Sequence, residues 1–158
     1  MITFVTTSNQ TGAGGQLVYR RNDMAFATEP GLHGRGISVV INEVELFIDD
    51  NGRVISVSGY CPYQGWRRTS FSPPKHDPGA LTVVGLNPST EPDGMAFGLN
   101  GVNNRWPVHV NGEGWVCIGD PANRGDEAVE FAPNTVAVLR EDQIVALWLC
   151  PTMIGGDV

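Results

Sequence analysis

At 158 residues the chain has the length of one domain, and a globular chain of that size buries roughly two-thirds of its unfolded surface, enough to fold without a metal or a disulfide. Its net charge of −7, with Lys75 the one lysine beside nine scattered arginines, excludes the basic stripe that nonspecific nucleic-acid binding needs and makes anionic membranes poor partners. Gly 20 and Pro 11 make it rich in turns, yet well below the roughly 25–30% of a low-complexity chain.

No run approaches the roughly 18 apolar residues of a membrane span. The opening residues MITFVTTSNQ show neither a basic region nor an apolar core of the kind that marks a signal peptide. The expectation is a reducing, cytoplasmic location. Cys61, Cys117 and Cys150 are odd in number, match no zinc-knuckle spacing, and fall inside or at the ends of predicted strands. They read as small buried hydrophobes, and no cofactor is expected.

In chain order, Ile2 to Thr7 reads as a strand of branched residues. The glycine-rich stretch 8–16, SNQTGAGGQ, lacks the Lys-Ser/Thr and the helix of a phosphate-binding loop. Leu17 to Arg20 and Met24 to Thr28 form two strands around Arg21-Asn22-Asp23. A loop with His33 and Arg35 leads to a strand over Ile37 to Ile41.

The best-specified piece is the hairpin from Glu43 to Cys61, closed by Asn51-Gly52, a pair suited to the positive φ angles of a type I′ turn. That turn sets Ile48 against Ile55, Leu46 against Val57 and Val44 against Gly59 on an apolar face. Glu43, Glu45, Phe47 and Asp49 then share a mostly polar face with Val54, Ser56, Ser58 and Tyr60. Residues 62–79 have no periodicity, and their prolines forbid a helix or a central strand. Ala80 to Leu86 is a buried strand, and a short strand lies near Met95 to Leu99.

Trp106 to Gly119 is a second hairpin, turning on Asn111-Gly112. Its parity places Val108 with Trp115 and Cys117, and His109 across from Gly114. Ala128 to Phe131 is a short strand. Thr135 to Cys150 is a third hairpin, turning at Glu141-Asp142, with both faces apolar. One of its faces holds Val136, Val138, Val145 and Leu147. No amphipathic helix stands out. Many short strands separated by turn signals predict one all-β domain over residues 1–158, a barrel or a sandwich of antiparallel hairpins.

The candidate binding site is the segment after the first hairpin. Tyr60, Tyr63, Trp66, Arg67, Arg68, Phe71, Lys75 and His76 concentrate aromatic and basic character in an otherwise acidic chain. Guanidinium forks suit a carboxylate or phosphate, and the aromatics supply an apolar wall. The plainer reading is that these rings fold over a sheet edge. Glu43 and Glu45 offer an acidic face to a basic partner.

His109 is the candidate general base, with Asp120, Glu113 or Asp126 as carboxylates near it in sequence. His33, His76 and His109 lack the paired spacing of a metal site. Cys61 has no second cysteine for redox exchange. The favoured reading is a small acidic binding module that engages a small ligand or a protein partner through residues 60–76. The alternative is a small β-barrel enzyme of cyclase, isomerase or hydrolase type, with Trp106, Trp115 and Trp148 around an apolar pocket and His109 moving the proton. Oligomeric state is not legible.

Overall fold

The structure, a computed structural model, describes residues 2–8, 12–31, 36–92, 94–101 and 103–155. His33 and Arg35 lie outside the described residues. Strands β1 (Thr3–Ser8), β2 (Gln16–Arg20), β3 (Ala25–Glu29), β4 (Ile37–Ile41), β5 (Val44–Ile48) and β6 (Val54–Tyr60) come first. A 3-10 turn over Tyr63–Gly65 leads to β7 (Arg67–Arg68), β8 (Asp77–Val84), β9 (Ala96–Gly98), β10 (Val108–Val110) and β11 (Val116–Gly119). The last are β12 (Glu127–Ala132), β13 (Thr135–Arg140), β14 (Gln143–Leu149) and β15 (Thr152–Ile154).

They form two sheets, ordered β1-β8-β12-β13-β14-β11-β10-β7 and β15-β2-β3-β6-β5-β4-β9. The all-β expectation holds as a sandwich-like arrangement; the described strands do not close into a barrel. The sheets are mixed, because β7 pairs with β10, β9 with β4, β12 with β8 and β15 with β2 in parallel. The short strand expected near Met95 to Leu99 is β9, whereas β7 and β15, of two and three residues, carry too little pattern to be seen by period.

The main core lies between the sheets. Leu17, Tyr19, Phe26, Val39 and Leu46 from one sheet join Phe4, Leu81, Ile118, Phe131 and Leu147 from the other. The first hairpin keeps its expected pairing at Val44 with Gly59 and Leu46 with Val57. Near the turn the register shifts, and Ile48 meets Val54 instead of Ile55. Asp49 is the cause: its Oδ1 accepts from the backbone N–H groups of Asn51 and Arg53, both at 2.9 Å. This Asx arrangement draws Asp49 and Asp50 into a longer turn in which Gly52 has φ +83° and Asn51 has no positive φ. Val54 is therefore buried and Ile55 turns outward.

The second hairpin differs more. Val108 pairs with Ile118, His109 with Cys117 and Val110 with Val116. His109 does not face Gly114. Asn111 Oδ1 accepts from Glu113 N (2.9 Å) and Trp115 N (3.0 Å), and φ +91° falls at Gly114 rather than at Gly112. The longer turn moves parity by one residue on the β11 side, which exchanges faces. Val108, Val110, Val116 and Ile118 face the main core, while Cys117 joins a second cluster with Val136, Val138, Ala146 and Trp148 on the outer side.

The third hairpin turns where expected: Arg140 pairs with Gln143, and Glu141 and Asp142 have φ of 51° and 65°. A register shift between Val138 and Leu139 regroups its faces, so that Ala137, Leu139, Ile144, Leu147 and Leu149 enter the main core.

Both faces of this hairpin are apolar because two segments cross the outer side of the sheet. Residues 69–76 run from β7, at one edge, to β8, beyond five intervening strands. Six strand spacings of about 4.8 Å make roughly 29 Å, close to the full reach of the nine residue steps from Arg68 to Asp77. The segment must be extended, and Pro73-Pro74 suits that geometry. It is a strap, tied by Asn111 Nδ2 to the Phe71 carbonyl (3.1 Å) and by the Ser72 hydroxyl to Glu113 (3.3 Å). Residues 120–126 cross from β11 to β12, and Arg124 lies over the Phe71 ring at 5.6 Å. Trp148 is fully buried in the outer cluster.

Candidate functional site

Four of the residues singled out in the sequence meet at one open end of the sandwich. Glu43, Tyr60, Trp66 and Arg67 line a cleft of about 250 Å³ together with Asn42, Cys61, Pro62, Gly65 and residues 105–108. The walls come from the β4–β5 turn, the end of β6 with the 3-10 turn, the start of β7, and the approach to β10.

Each wall has a local cause. Asn42 occupies the tight β4–β5 turn with φ +56°, a conformation asparagine tolerates. Its side chain bridges the backbone of Trp106: Oδ1 accepts from Trp106 N and Nδ2 donates to Trp106 O, both at 3.0 Å. Glu43 therefore sits in a turn, not on the strand face shared with Glu45. Arg105 donates to both Glu43 oxygens, Nη1 at 2.5 Å and Nη2 at 2.9 Å. That hydrogen bonding holds the Glu43 carboxyl below its usual range.

Trp66 is the hub of the opposite wall. Its ring meets Tyr19 edge-on at 4.9 Å and lies near-parallel to Phe26 at 6.3 Å. Its indole N–H donates to Cys61 Sγ at 3.4 Å. Beneath it the Tyr19 hydroxyl donates to the Cys61 carbonyl at 2.6 Å. Burial pushes the Tyr19 hydroxyl up to about 12 and, against the Trp66 hydrogen bond, raises the Cys61 thiol. Cys61 is thus a protonated thiol near neutral pH, and Glu43 is occupied by Arg105. The lining residues include no histidine, and their carboxylate, Glu43, is paired with Arg105.

The other candidates lie elsewhere. Tyr63 packs in the aromatic cluster, 6.5 Å from Trp66, with the Arg21 guanidinium 4.7 Å over its ring. Tyr63 and the inner side of Trp66 thus pack against the main core, Trp66 on Tyr19 and Phe26 of β2 and β3, interior strands of their sheet. Arg68, beside Val110 on β7, is exposed and outside the cleft. Glu45 lies opposite Ser58 on the outer face of its sheet.

His76 belongs to a separate cleft of about 350 Å³ with Lys75, Asp77 and Glu127. Its Nδ1 is 2.8 Å from the Pro74 carbonyl, and its ring meets Trp115 edge-on. His109 stands in register between Arg67 and Cys117 and does not line the Arg67 cleft. Its Nδ1 is buried without a hydrogen-bond partner among the described residues.

The carboxylates near His109 in sequence are engaged elsewhere. Asp120 accepts from Ala122 N, Asp126 from Glu141 N, and Glu113 from Ser72. The three tryptophans assigned to one pocket are divided: Trp106 lines the cleft, while Trp115 and Trp148 belong to the outer cluster. Among the described residues no group of three or more His, Cys, Asp or Glu could hold a metal ion, and no helix is long and apolar enough to cross a membrane. The three cysteines are unpaired.

Sequence reasoning missed Asn42 and Arg105. The Glu43–Arg105 pair spans 62 positions, with no spacing rule to announce it. The positive φ of Asn42 had a signal, an asparagine between two β-branched strands, but not its grip on Trp106. Compared with protein-family models and with curated proteins, the chain matches none.

Proposed function

We propose that the protein is a binding module whose site is the Trp66–Trp106 cleft, taking a small ligand. The observation that carries this reading is convergence: Glu43, Tyr60, Trp66 and Arg67, chosen for their chemistry, line one concave site with Arg105 and Trp106. Apolar walls with a few placed polar groups are what small-molecule sites are made of. The lining residues offer recognition chemistry and no acid–base pair, which favours binding over the cyclase, isomerase or hydrolase alternative. Unpaired Cys61, Cys117 and Cys150 accord with a reducing, cytoplasmic setting.

The four tryptophans provide the test. Trp66 and Trp106 line the cleft, whereas Trp115 and Trp148 lie in the outer cluster. In a small-molecule library screened by NMR, binders are expected to move the Trp66 and Trp106 indole N–H signals and leave the other two. Binders that move only Trp115 or Trp148, or a library that moves none of the four, would remove the cleft from consideration.

A further inference from the structure

We infer that the ligand of this cleft is a small monoanion with a flat apolar body, an aromatic carboxylate being the simplest member. The inference rests on the binding reading above and adds the chemistry of what is bound.

Charge is the first argument. Arg67, Arg105 and Glu43 line the cleft. Arg105 and Glu43 satisfy each other through two hydrogen bonds and are neutral as a unit. Arg67 has no ion pair or side-chain hydrogen bond among the described residues. Among the described residues the positive charge of Arg67 is therefore uncompensated, at a cleft on a chain of net charge −7. Beyond a Debye length of about 8 Å such a chain's field is largely screened, and the local guanidinium decides what binds. Its planar fork matches a carboxylate with two parallel N–H donors. A dianion would leave one charge unmatched, because Arg105 is already committed to Glu43.

Shape is the second. Trp66 is locked by Tyr19, Phe26 and its bond to Cys61. Trp106 is clamped on both sides of its backbone by Asn42. A Trp66 wall held before the ligand arrives, faced by Trp106 on a fixed backbone, makes stacking of a flat ring inexpensive in ordering entropy. A volume of about 250 Å³ limits the body to a small ring system.

The test titrates the full chain with benzoate, benzamide, benzylamine, cyclohexanecarboxylate and inorganic phosphate, reading the Trp66 and Trp106 indole signals. Benzoate is expected to bind about tenfold more tightly than benzamide, the lower end for a charge-assisted pair at an exposed side chain. Cyclohexanecarboxylate and phosphate are expected to be weaker than benzoate. Arg67→Ala should cost about tenfold for benzoate and leave benzamide unchanged. Glu43→Gln, which frees Arg105, should tighten benzoate. Equal binding of benzamide and benzoate, or preference for benzylamine, would overturn the anion assignment while the cleft remained a binding site. Phosphate or cyclohexanecarboxylate as tight as benzoate would overturn the flat-body assignment. Failure of every probe to move Trp66 or Trp106 would overturn this inference, and the library screen decides separately whether the cleft binds at all.

Discussion

Replacing Gly59 by alanine tests the close β5–β6 approach beside Glu43 and Tyr60 of the cleft. Gly59 sits in β6 between Val44 of β5 and Phe26 of β3, with φ +138°. A Cβ there would overlap the Glu43 carbonyl oxygen and lie 2.8 Å from Val44 Cα. Both obstacles are backbone atoms, one in the β4–β5 turn and one at the start of β5, so neither can rotate away. The positive φ costs about 1–3 kcal/mol for a residue with a side chain, and overpacking a further 1–3 kcal/mol. A total of about 3 kcal/mol is a large share of the roughly 5–15 kcal/mol that holds a domain. With a urea m-value of about 2 kcal/mol/M, the midpoint should fall by about 1.5 M.

The control is Gly112→Ala, where an added Cβ meets nothing within 4 Å. Its midpoint should move by less than about 0.25 M, since unstrained surface changes stay within about 0.5 kcal/mol. Because Gly59 abuts Glu43, the shift should also loosen the Arg105 pair and return the Glu43 carboxyl toward its ordinary range. A Gly59→Ala midpoint within about 0.3 M of wild type would refute the close β5–β6 approach. A Gly112→Ala loss above about 1 kcal/mol would restore the two-residue turn that demands positive φ at that glycine.

Asn111→Ala should destabilise by about 2–3 kcal/mol in urea unfolding, because a buried side chain loses hydrogen bonds to Glu113, Trp115 and Phe71 together. Hydrogen exchange should then rise in residues 69–76 before the sheets open, and unchanged exchange there would refute the strap. In alkaline titration, burial raises Cys117 to about 12, Tyr19 to about 12, and the Cys61 thiol in the same direction. A raised folded pKa contributes stability that is complete below the unfolded value and is lost as pH rises through the folded one. Stability from these groups should be flat to about pH 8.5 and decline from there to about pH 12. Cys61 and Cys117 should resist a thiol reagent until unfolding; prompt native reaction at both would contradict their burial.

The legibility of this chain follows the physics of each element. Hairpins whose pattern and turn residues agree were readable, as with Ile37–Ile41 and the turn at Glu141-Asp142. Register failed where a side chain intervened. Asp49 and Asn111 each accept two backbone N–H bonds and lengthen the turn. That exchanged Ile55 for Val54 in one hairpin and the faces of Val116 and Cys117 in the other. A side-chain hydrogen bond of this kind outweighs the Asn-Gly turn preference and leaves no trace in hydrophobic period. The site was half legible for a related reason. Aromatic and basic residues clustered in sequence can be seen, whereas Arg105 and Asn42 reach the cleft only through tertiary pairing.

The segment from Cys61 to His76 shows why one anomalous stretch supported two competing readings. Its first half, through Arg67, turns back into the sandwich and places Trp66 between the aromatic cluster and the cleft. Its second half is drawn nearly to full extension across the outer sheet face, where Phe71 meets Asn111 and Arg124. The first half supplies candidate recognition, and the second supplies cover for an apolar face. The boundary is β7, whose Arg67 and Arg68 hydrogen-bond in parallel to β10 beside His109 and Val110. Two residues of sheet thus convert one flexible-looking loop into a wall and a strap. Both ends of this segment are pinned to the same sheet, and Asn111, which ties it at Phe71, directly follows β10, the strand paired with Arg67. Loosening the strap at Asn111 should therefore weaken benzoate binding at the cleft even though Asn111 does not line it. Unchanged benzoate affinity in an Asn111→Ala protein with a freed strap would show that β10 alone holds Arg67.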